Sequence, residues 1–217
     1  MIKGGIRIGG LNANRGLLNG LLAYWKLDTN SWLDSSGNNY TLTNNNAVTN
    51  ATGIINNGAS FGGGGQYLNT SSFPTITGNF CISCWVKVTD TVEQQTFIES
   101  PVGGGINVYF INGGLSVDDF QAQSDIIEVG SFSNDVWYNI VIVKNNGIVS
   151  AYSNGTFLAS TTQSLNITAG IGIGGAVALD GYWTVGVVDE VGVWNRALTG
   201  TEITSLYNAG AGKSYPF

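Results

Sequence analysis

Acidic side chains are the groups of this sequence that could do acid–base chemistry, because the chain contains no histidine. Retaining hydrolysis of a glycosidic bond needs two carboxyl groups about 5 to 5.5 Å apart, which residues at even spacing on one strand could supply. No such pair exists, and the missing histidine also excludes Ser-His-Asp triads and imidazole metal sites. The sequence therefore predicts a protein that is not an enzyme. The closely spaced acids are Asp118 and Asp119, Asp125 and Glu128, and Asp189 and Glu190.

Aromatic side chains could instead bind a glycan by stacking on a sugar ring, provided that they are exposed and have amide groups nearby. Polar or glycine-rich turns flank Trp32 and Trp183, so these two are the best exposed candidates, unless they pack over sheet edges. The remaining tryptophans fall in strand patterns and are predicted in the core. The candidates near loops or strand ends are Trp32, Tyr67, Tyr109, Phe120, Tyr182 and Trp183, of which we select Trp32, Tyr67, Tyr109 and Trp183.

The two cysteines, Cys81 and Cys84, lie in a strand pattern that runs from Phe80 to Val88. Three steps along a strand put their Cα atoms roughly 10 Å apart on opposite faces, whereas a disulfide tolerates only about 7 Å. Their spacing is also that of a redox pair or of half a zinc site, but no second pair follows and no helix begins there. Buried free thiols are predicted.

Short hydrophobic runs separated by Asn- and Gly-rich turns fill the chain from Leu21 onward. The pair Asn154-Gly155 between two of these runs is typical of a tight hairpin. More than ten such runs predict an all-β, two-sheet antiparallel sandwich. One short C-terminal helix is added, because Thr199 and Glu202 form a capping box ahead of an apolar repeat.

Positive charge is concentrated at the N-terminus, where residues 1–20 hold Lys3, Arg7, Arg15 and no acid. The whole chain has 8 basic and 14 acidic residues, and a net charge of -6 excludes a nucleic-acid surface. We expect residues 1–20 to form a cationic, Gly-rich arm that contacts other subunits of an assembly. Pairing with a sheet edge or packing on its own domain are the alternatives. Residues 21–211 then form one domain, and 212–217 a C-terminal tail.

The sequence also bears on location. Residues 1–10 and 17–25 do not read as a secretion signal, and no run approaches 18 apolar residues, so no membrane span is expected. We expect a protein made without a signal peptide and carried on the surface of a virion or another particle. An extracellular location is the alternative.

Several landmarks in this order resemble the laminin-G-like branch of the concanavalin A-like lectin/glucanase superfamily. The resemblance extends over about residues 21–209, and its most specific part is the closing stretch. It implies a jelly roll of two curved antiparallel sheets, in agreement with the strand pattern. The matching stretches are residues 22–28, 34–38, 80–86, 137–143, 151–156 and 188–199, followed by Glu202-Ile203 and Leu206-Tyr207.

The resemblance also implies a structural calcium ion, because relatives often hold one near the turn after the first strand. Calcium takes six to eight oxygen ligands. Asp28, Asp34 and Asn38 offer side-chain oxygens around that turn, and Asp189 lies on a strand expected beside the first one. The alternative is that Asp34 and Asn38 only shape the turn. Gly62–Gly65 replace the acid that relatives often carry after a Ser-Phe pair, which argues against a pentraxin-like rim site.

Together these observations favour a non-enzymatic attachment or surface module. The cationic arm and the lack of a recognisable secretion signal indicate a phage or virus-like particle protein, such as a capsid decoration, fibre or tail component. Such a protein could bind a cell-surface glycan. A free carbohydrate-binding lectin is the alternative from another class. A glycoside hydrolase is disfavoured, since no carboxylate dyad is present.

Overall fold

The computed structural model describes residues 16–100, 105–119, 124–176 and 181–217. These residues form fifteen strands, one α-helix and a final 3-10 turn at Asn208–Gly210. The strands are β1 (Leu21–Trp25), β2 (Thr43–Asn45), β3 (Thr49–Thr52), β4 (Asn57–Gly62), β5 (Tyr67–Thr70), β6 (Phe80–Val88), β7 (Gln95–Glu99), β8 (Ile106–Ile111), β9 (Gly114–Asp119), β10 (Ser124–Val129), β11 (Tyr138–Asn145), β12 (Ile148–Ser153), β13 (Thr156–Thr162), β14 (Ile171–Ile173) and β15 (Val185–Trp194). The helix is α1 (Gly200–Tyr207).

Two antiparallel sheets confirm the predicted sandwich. The first sheet has the order β13-β12-β11-β6-β15-β4-β3, with β1 also paired to β15. The second has the order β10-β9-β8-β7-β14-β5-β2. Because neighbours such as β6 and β15, or β14 and β5, come from distant parts of the chain, each face combines side chains that are far apart in sequence.

Strand β6 shows how the sequence builds two cores. Its side chains point alternately to the two faces of the first sheet. Cys84 therefore packs in the main core between the sheets, whereas Cys81 packs in a second cluster on the outer side of the first sheet. Both cysteines are buried and free, as predicted. Burial raises the pKa of each thiol, which keeps both protonated.

Helix α1 covers that second cluster with Ile203 and Leu206. Its predicted capping box is present: the Thr199 side chain accepts from the Glu202 backbone N–H, and the Glu202 carboxylate accepts from the Thr199 N–H. The helix is capped at Asn208, whose φ of 49° is left-handed. Asparagine adopts this region more readily than other residues that carry a Cβ.

Residues 16–20, which we assigned to the arm, pack against the domain. Leu17 is buried in the second cluster, and the indole N–H of Trp194 donates to its backbone oxygen at 2.6 Å. The Arg196 guanidinium donates to the backbone oxygen of Asn19 at 2.6 Å and pairs with Glu202 at 2.6 Å. The cationic residues Lys3, Arg7 and Arg15 lie outside the described residues.

Residues 212–217 also pack on the domain. Phe217 is buried in the same second cluster as Leu17, and its ring contacts that of Tyr24 at a centroid distance of 5.2 Å. Both ends of the described chain therefore lie on the outer side of the first sheet. None of the described helices is long and apolar enough to cross a membrane.

Candidate functional site

Two of the predicted aromatic side chains, Tyr67 and Trp183, lie together. Their ring centroids are 5.8 Å apart and their planes differ by 19°, so the rings are stacked. Both side chains are half-buried. Tyr67 points away from the core because its neighbour on β5, Leu68, points into it. The pair therefore stands on the outward face of the second sheet.

The position of Trp183 depends on its neighbours. A Cβ atom on Gly175 would lie 2.1 Å from Cε3 of the indole, so only glycine leaves room for the ring. The backbone of Tyr182 accepts from the Thr96 N–H at 2.9 Å, and the Thr184 hydroxyl donates to the Thr96 oxygen at 2.7 Å. These contacts fix the segment that carries Trp183 to strand β7.

Amide side chains surround the stacked pair. Asn45 is the cross-strand partner of Tyr67, and its amide donates to Oδ1 of Asn69 at 2.9 Å. Asn69 lies two residues beyond Tyr67 on β5 and so shares its face. Asn46 and Gln66 bind backbone atoms of the neighbouring glycine-rich turn. Strand β2 is the edge strand of the second sheet, so this rim of amides lies at the side of the sandwich.

A row of polar residues continues across the same face of the second sheet. The strand registers pair Asn69 with Gly172, Gly172 with Glu99, Glu99 with Asn107, and Asn107 with Asp118. Glu99, Asn107 and Asp118 are buried. Two strand spacings place the Cα atoms of Glu99 and Asp118 about 10 Å apart. This row was not predicted from the sequence, because each member comes from a different strand. Only the pairing of the strands would have revealed it.

The other two predicted glycan-binding residues are not exposed. Trp32 is only 4% exposed and belongs to the main core, so the expectation that it is exposed was wrong. The polar turn around it bends back, since the Leu42 N–H donates to the Trp32 oxygen at 3.0 Å. Tyr109 is buried as well, and its hydroxyl donates to the Asp118 carboxylate at 3.2 Å.

The adjacent acids Asp189 and Glu190 are buried at a bulge of β15. The Asp189 carboxylate accepts the backbone N–H groups of Ile54, Ile55 and Glu190 at 2.8 to 3.1 Å. Glu190 accepts the hydroxyl proton of Tyr24 at 2.5 Å. Burial raises the pKa of Asp189 to about 8 and that of Glu190 to about 7, against the opposing effect of these hydrogen bonds.

The predicted calcium ligands form two separate arrangements. Asp34 accepts from the N–H groups of Tyr24, Ser36 and Tyr40 and from the Ser36 hydroxyl, at 2.8 to 3.1 Å. Asn38 lies beside it and donates to a backbone oxygen of β1.

Asp28 and Asp189 lie elsewhere, since each binds the turn between β3 and β4 through backbone N–H groups. Within the described ranges, no group of three acidic or thiol side chains lies close enough to hold a metal ion. The four residues are not brought to one point, and calcium binding remains a prediction.

The fold and this site can be compared with known proteins. A family model, Laminin_G_3, described as the concanavalin A-like lectin/glucanases superfamily, matches residues 61–204. No curated protein has significant similarity to the chain in sequence. Several solved structures match the fold.

The receptor-binding domain of botulinum neurotoxin C/D mosaic serotype superposes with a TM-score of 0.71 at 18% identity, covering 88% of this chain and 52% of that chain. The binding domain of Paraclostridial Mosquitocidal Protein 1 gives 0.72 at 16% identity, with 89% and 53% covered. The chain thus spans about half the length of these two domains. Domain 4 of AbnA, an extracellular arabinanase from Geobacillus stearothermophilus solved with arabinotriose, gives 0.69 at 21% identity, with 85% and 97% covered. At these identities the likeness concerns the fold.

Proposed function

The chain belongs to the concanavalin A-like lectin/glucanases superfamily, and we propose that it is a carbohydrate-binding domain whose ligand stacks on Tyr67 and Trp183. The observation that carries the proposal is the stacked, half-exposed geometry of this pair. One face of a sugar ring presents C–H groups, and an aromatic side chain gains free energy by removing such a face from water.

The amides beside the pair supply the polar half of recognition. Asn45 and Asn69 already order each other by a hydrogen bond of 2.9 Å and stand on the same face as Tyr67. A few fixed polar groups beside an apolar surface set the orientation of a small ligand. Sugar hydroxyls both donate and accept, which matches the carbonyl and NH₂ groups of an asparagine.

An oligosaccharide is the class of ligand to test first. The arabinanase domain with the same fold was solved with arabinotriose, and the botulinum domain is described as receptor-binding. We propose no catalytic role, because the adjacent acids Asp189 and Glu190 are buried and hydrogen-bonded to the protein itself. Glu99 and Asp118, two acids of the outward face, are buried too.

A glycan array followed by calorimetry tests the proposal, with arabinotriose as the first soluble probe. Trp183→Ala and Tyr67→Ala should each weaken binding about 30-fold, as expected for an aromatic group that contributes about 2 kcal/mol. The matched control is Phe157→Ala, since Phe157 is an exposed aromatic residue on the first sheet. A silent array, or equal binding by the Trp183 and Phe157 variants, would contradict the proposal.

We further propose that the domain acts as an attachment module, such as on a phage or virus-like particle, with residues 1–20 linking it to other subunits. Support comes from Arg196, which holds residues 16–20 and so fixes the point where the cationic segment joins the domain. Deletion of residues 1–15 should preserve folding and glycan binding but abolish incorporation into the particle. Retained incorporation, or loss of the fold, would argue against a separate linking role.

A further inference from the structure

Within the described residues, Lys144 is a buried cation without a carboxylate partner. It lies on β11, is 7% exposed, and donates from Nζ to the Thr77 backbone oxygen at 2.9 Å and to Oδ1 of Asn166 at 3.2 Å. Both acceptors are neutral, and the salt bridge found in the described part of the chain joins Arg196 to Glu202. Because an ammonium group has three N–H donors, these two neutral acceptors leave one donor of Lys144 for a ligand, and no carboxylate among the described residues pairs with its charge.

This lysine lines an open cavity of about 510 Å³ at one end of the sandwich. The cavity is bounded by the turn between β11 and β12, the segment before β6 and the segment after β13. Its lining consists of polar residues and glycines, without an aromatic or long aliphatic side chain. The polar lining includes Thr77, Asn79, Asn146, Thr162, Gln163 and Ser164.

Three of these polar side chains are available to a ligand. Within the described residues, the side chains of Asn146, Gln163 and Ser164 make no hydrogen bond, and all three are exposed. Asn79 instead orders the cavity, because its Oδ1 accepts the Asn146 N–H at 2.8 Å. The cavity thus combines a fixed, uncompensated cation at its wall with free amide and hydroxyl groups at its mouth.

We propose that this cavity binds the carboxylate of an acidic sugar, with Lys144 pairing to the carboxylate and the amide and hydroxyl groups binding the ring hydroxyls. A buried cation without a carboxylate partner favours an anionic ligand, since a hydrogen bond between an ammonium group and a carboxylate is about twice as strong as one between neutral groups. The polar lining suits a sugar rather than an acyl chain, and the volume lies in the range of small-molecule sites.

The cavity is separate from the Tyr67–Trp183 site. It adjoins the start of β6, whereas Trp183 lies two residues before β15, whose Gly186 pairs with Val88 at the end of β6. The nine residues of β6 span about 26 Å. The inference rests on the proposed function in one respect: it takes the molecule that carries the carboxylate to be a sugar. It does not depend on Tyr67 or Trp183.

Nuclear magnetic resonance titration of the full chain with D-glucuronate, D-glucose and acetate tests the inference. Glucuronate should shift the backbone amide signals of Asn146 and Gly147 saturably and bind at least about tenfold more tightly than glucose or acetate. Lys144→Met should weaken glucuronate binding at least about tenfold, while Trp183→Ala should leave it unchanged. Lys87→Met, which removes a cation from the first sheet, is the matched control.

Gln163→Ala provides a second variant that does not depend on a buried group, because Gln163 is exposed. It should weaken glucuronate binding without lowering the melting temperature. Equal affinities for glucuronate and glucose, binding unchanged by Lys144→Met in a folded protein, or an unchanged affinity in Gln163→Ala would each overturn the inference. Because Trp183→Ala should weaken binding only at the Tyr67–Trp183 site, failure of one proposal is visible independently of the other.

Discussion

The buried acid Glu190 makes the stability of the domain depend on pH. Its side chain is 3% exposed, and burial raises its pKa from 4.5 to about 7. A carboxyl with a higher pKa in the folded state binds its proton more tightly when folded. The contribution of Glu190 to the free energy of unfolding is therefore largest below about pH 4.5. This contribution is lost as the pH rises from that value through 7.

The size of the effect follows from the shift. A change from 4.5 to about 7 is about 2.5 pH units, and at about 1.4 kcal/mol per unit Glu190 destabilises the folded state by about 3 kcal/mol at pH 9 relative to pH 4. Glu190→Gln removes the charge and keeps an oxygen that can accept from Tyr24. It should therefore stabilise the domain above pH 7 and reduce the dependence on pH.

Urea unfolding followed by tryptophan fluorescence between pH 5 and 9 measures this prediction. Asp189 acts in the same direction, since burial raises its pKa also, so the variant should retain part of the slope. Glu128→Gln is the matched control, because Glu128 is an exposed residue of the second sheet. Wild-type stability that stays constant or increases from pH 5 to 9, or a Glu190→Gln slope equal to that of wild type, would refute the reasoning.

Three further predictions concern the position of the Trp183 ring, the attachment of residues 16–20 to the domain, and calcium binding. Gly175→Ala should displace the Trp183 ring, since the new Cβ would lie 2.1 Å from it, and should weaken glycan binding at least about tenfold by calorimetry. Gly200→Ala, which has open space around it and lies outside both proposed sites, should bind normally. Arg196→Leu should lower the free energy of unfolding by about 2 kcal/mol and increase amide hydrogen exchange at residues 17–20. Unchanged exchange would contradict the role of Arg196 in holding these residues on the domain. The predicted calcium site should make the melting temperature rise at millimolar calcium, and an unchanged melting temperature would contradict that prediction.

Local patterns in the sequence predicted much of the fold. The alternation of β6, the Asn154-Gly155 hairpin and the Thr199–Glu202 capping box each depend on residues a few positions apart, and each is present. Strand β3, with the sequence Thr-Asn-Ala-Thr, was missed because it carries no apolar alternation. It forms through pairing with β4, which a local pattern does not encode.

The candidate site was only partly predictable, because exposure and strand pairing are tertiary properties. Tyr67 and Trp183 were found from their polar surroundings, and the same reasoning selected Trp32, whose turn folds it into the core. The polar row of Glu99, Asn107 and Asp118 depends on the register of three strands. No single stretch of sequence carries that register, so no motif could reveal the row.

The shared position of the chain ends has a practical consequence for how the domain can be used. Leu17 and Phe217 meet on the outer side of the first sheet, whereas Tyr67 stands on the opposite outer surface of the molecule. A fusion partner, a biotin tag or a solid support joined after Phe217 would sit behind the sandwich and leave the stacked rings facing the solution. The domain can therefore be displayed in many copies, each with the same orientation, and weak single contacts to a glycan-coated surface would then add up to strong adhesion.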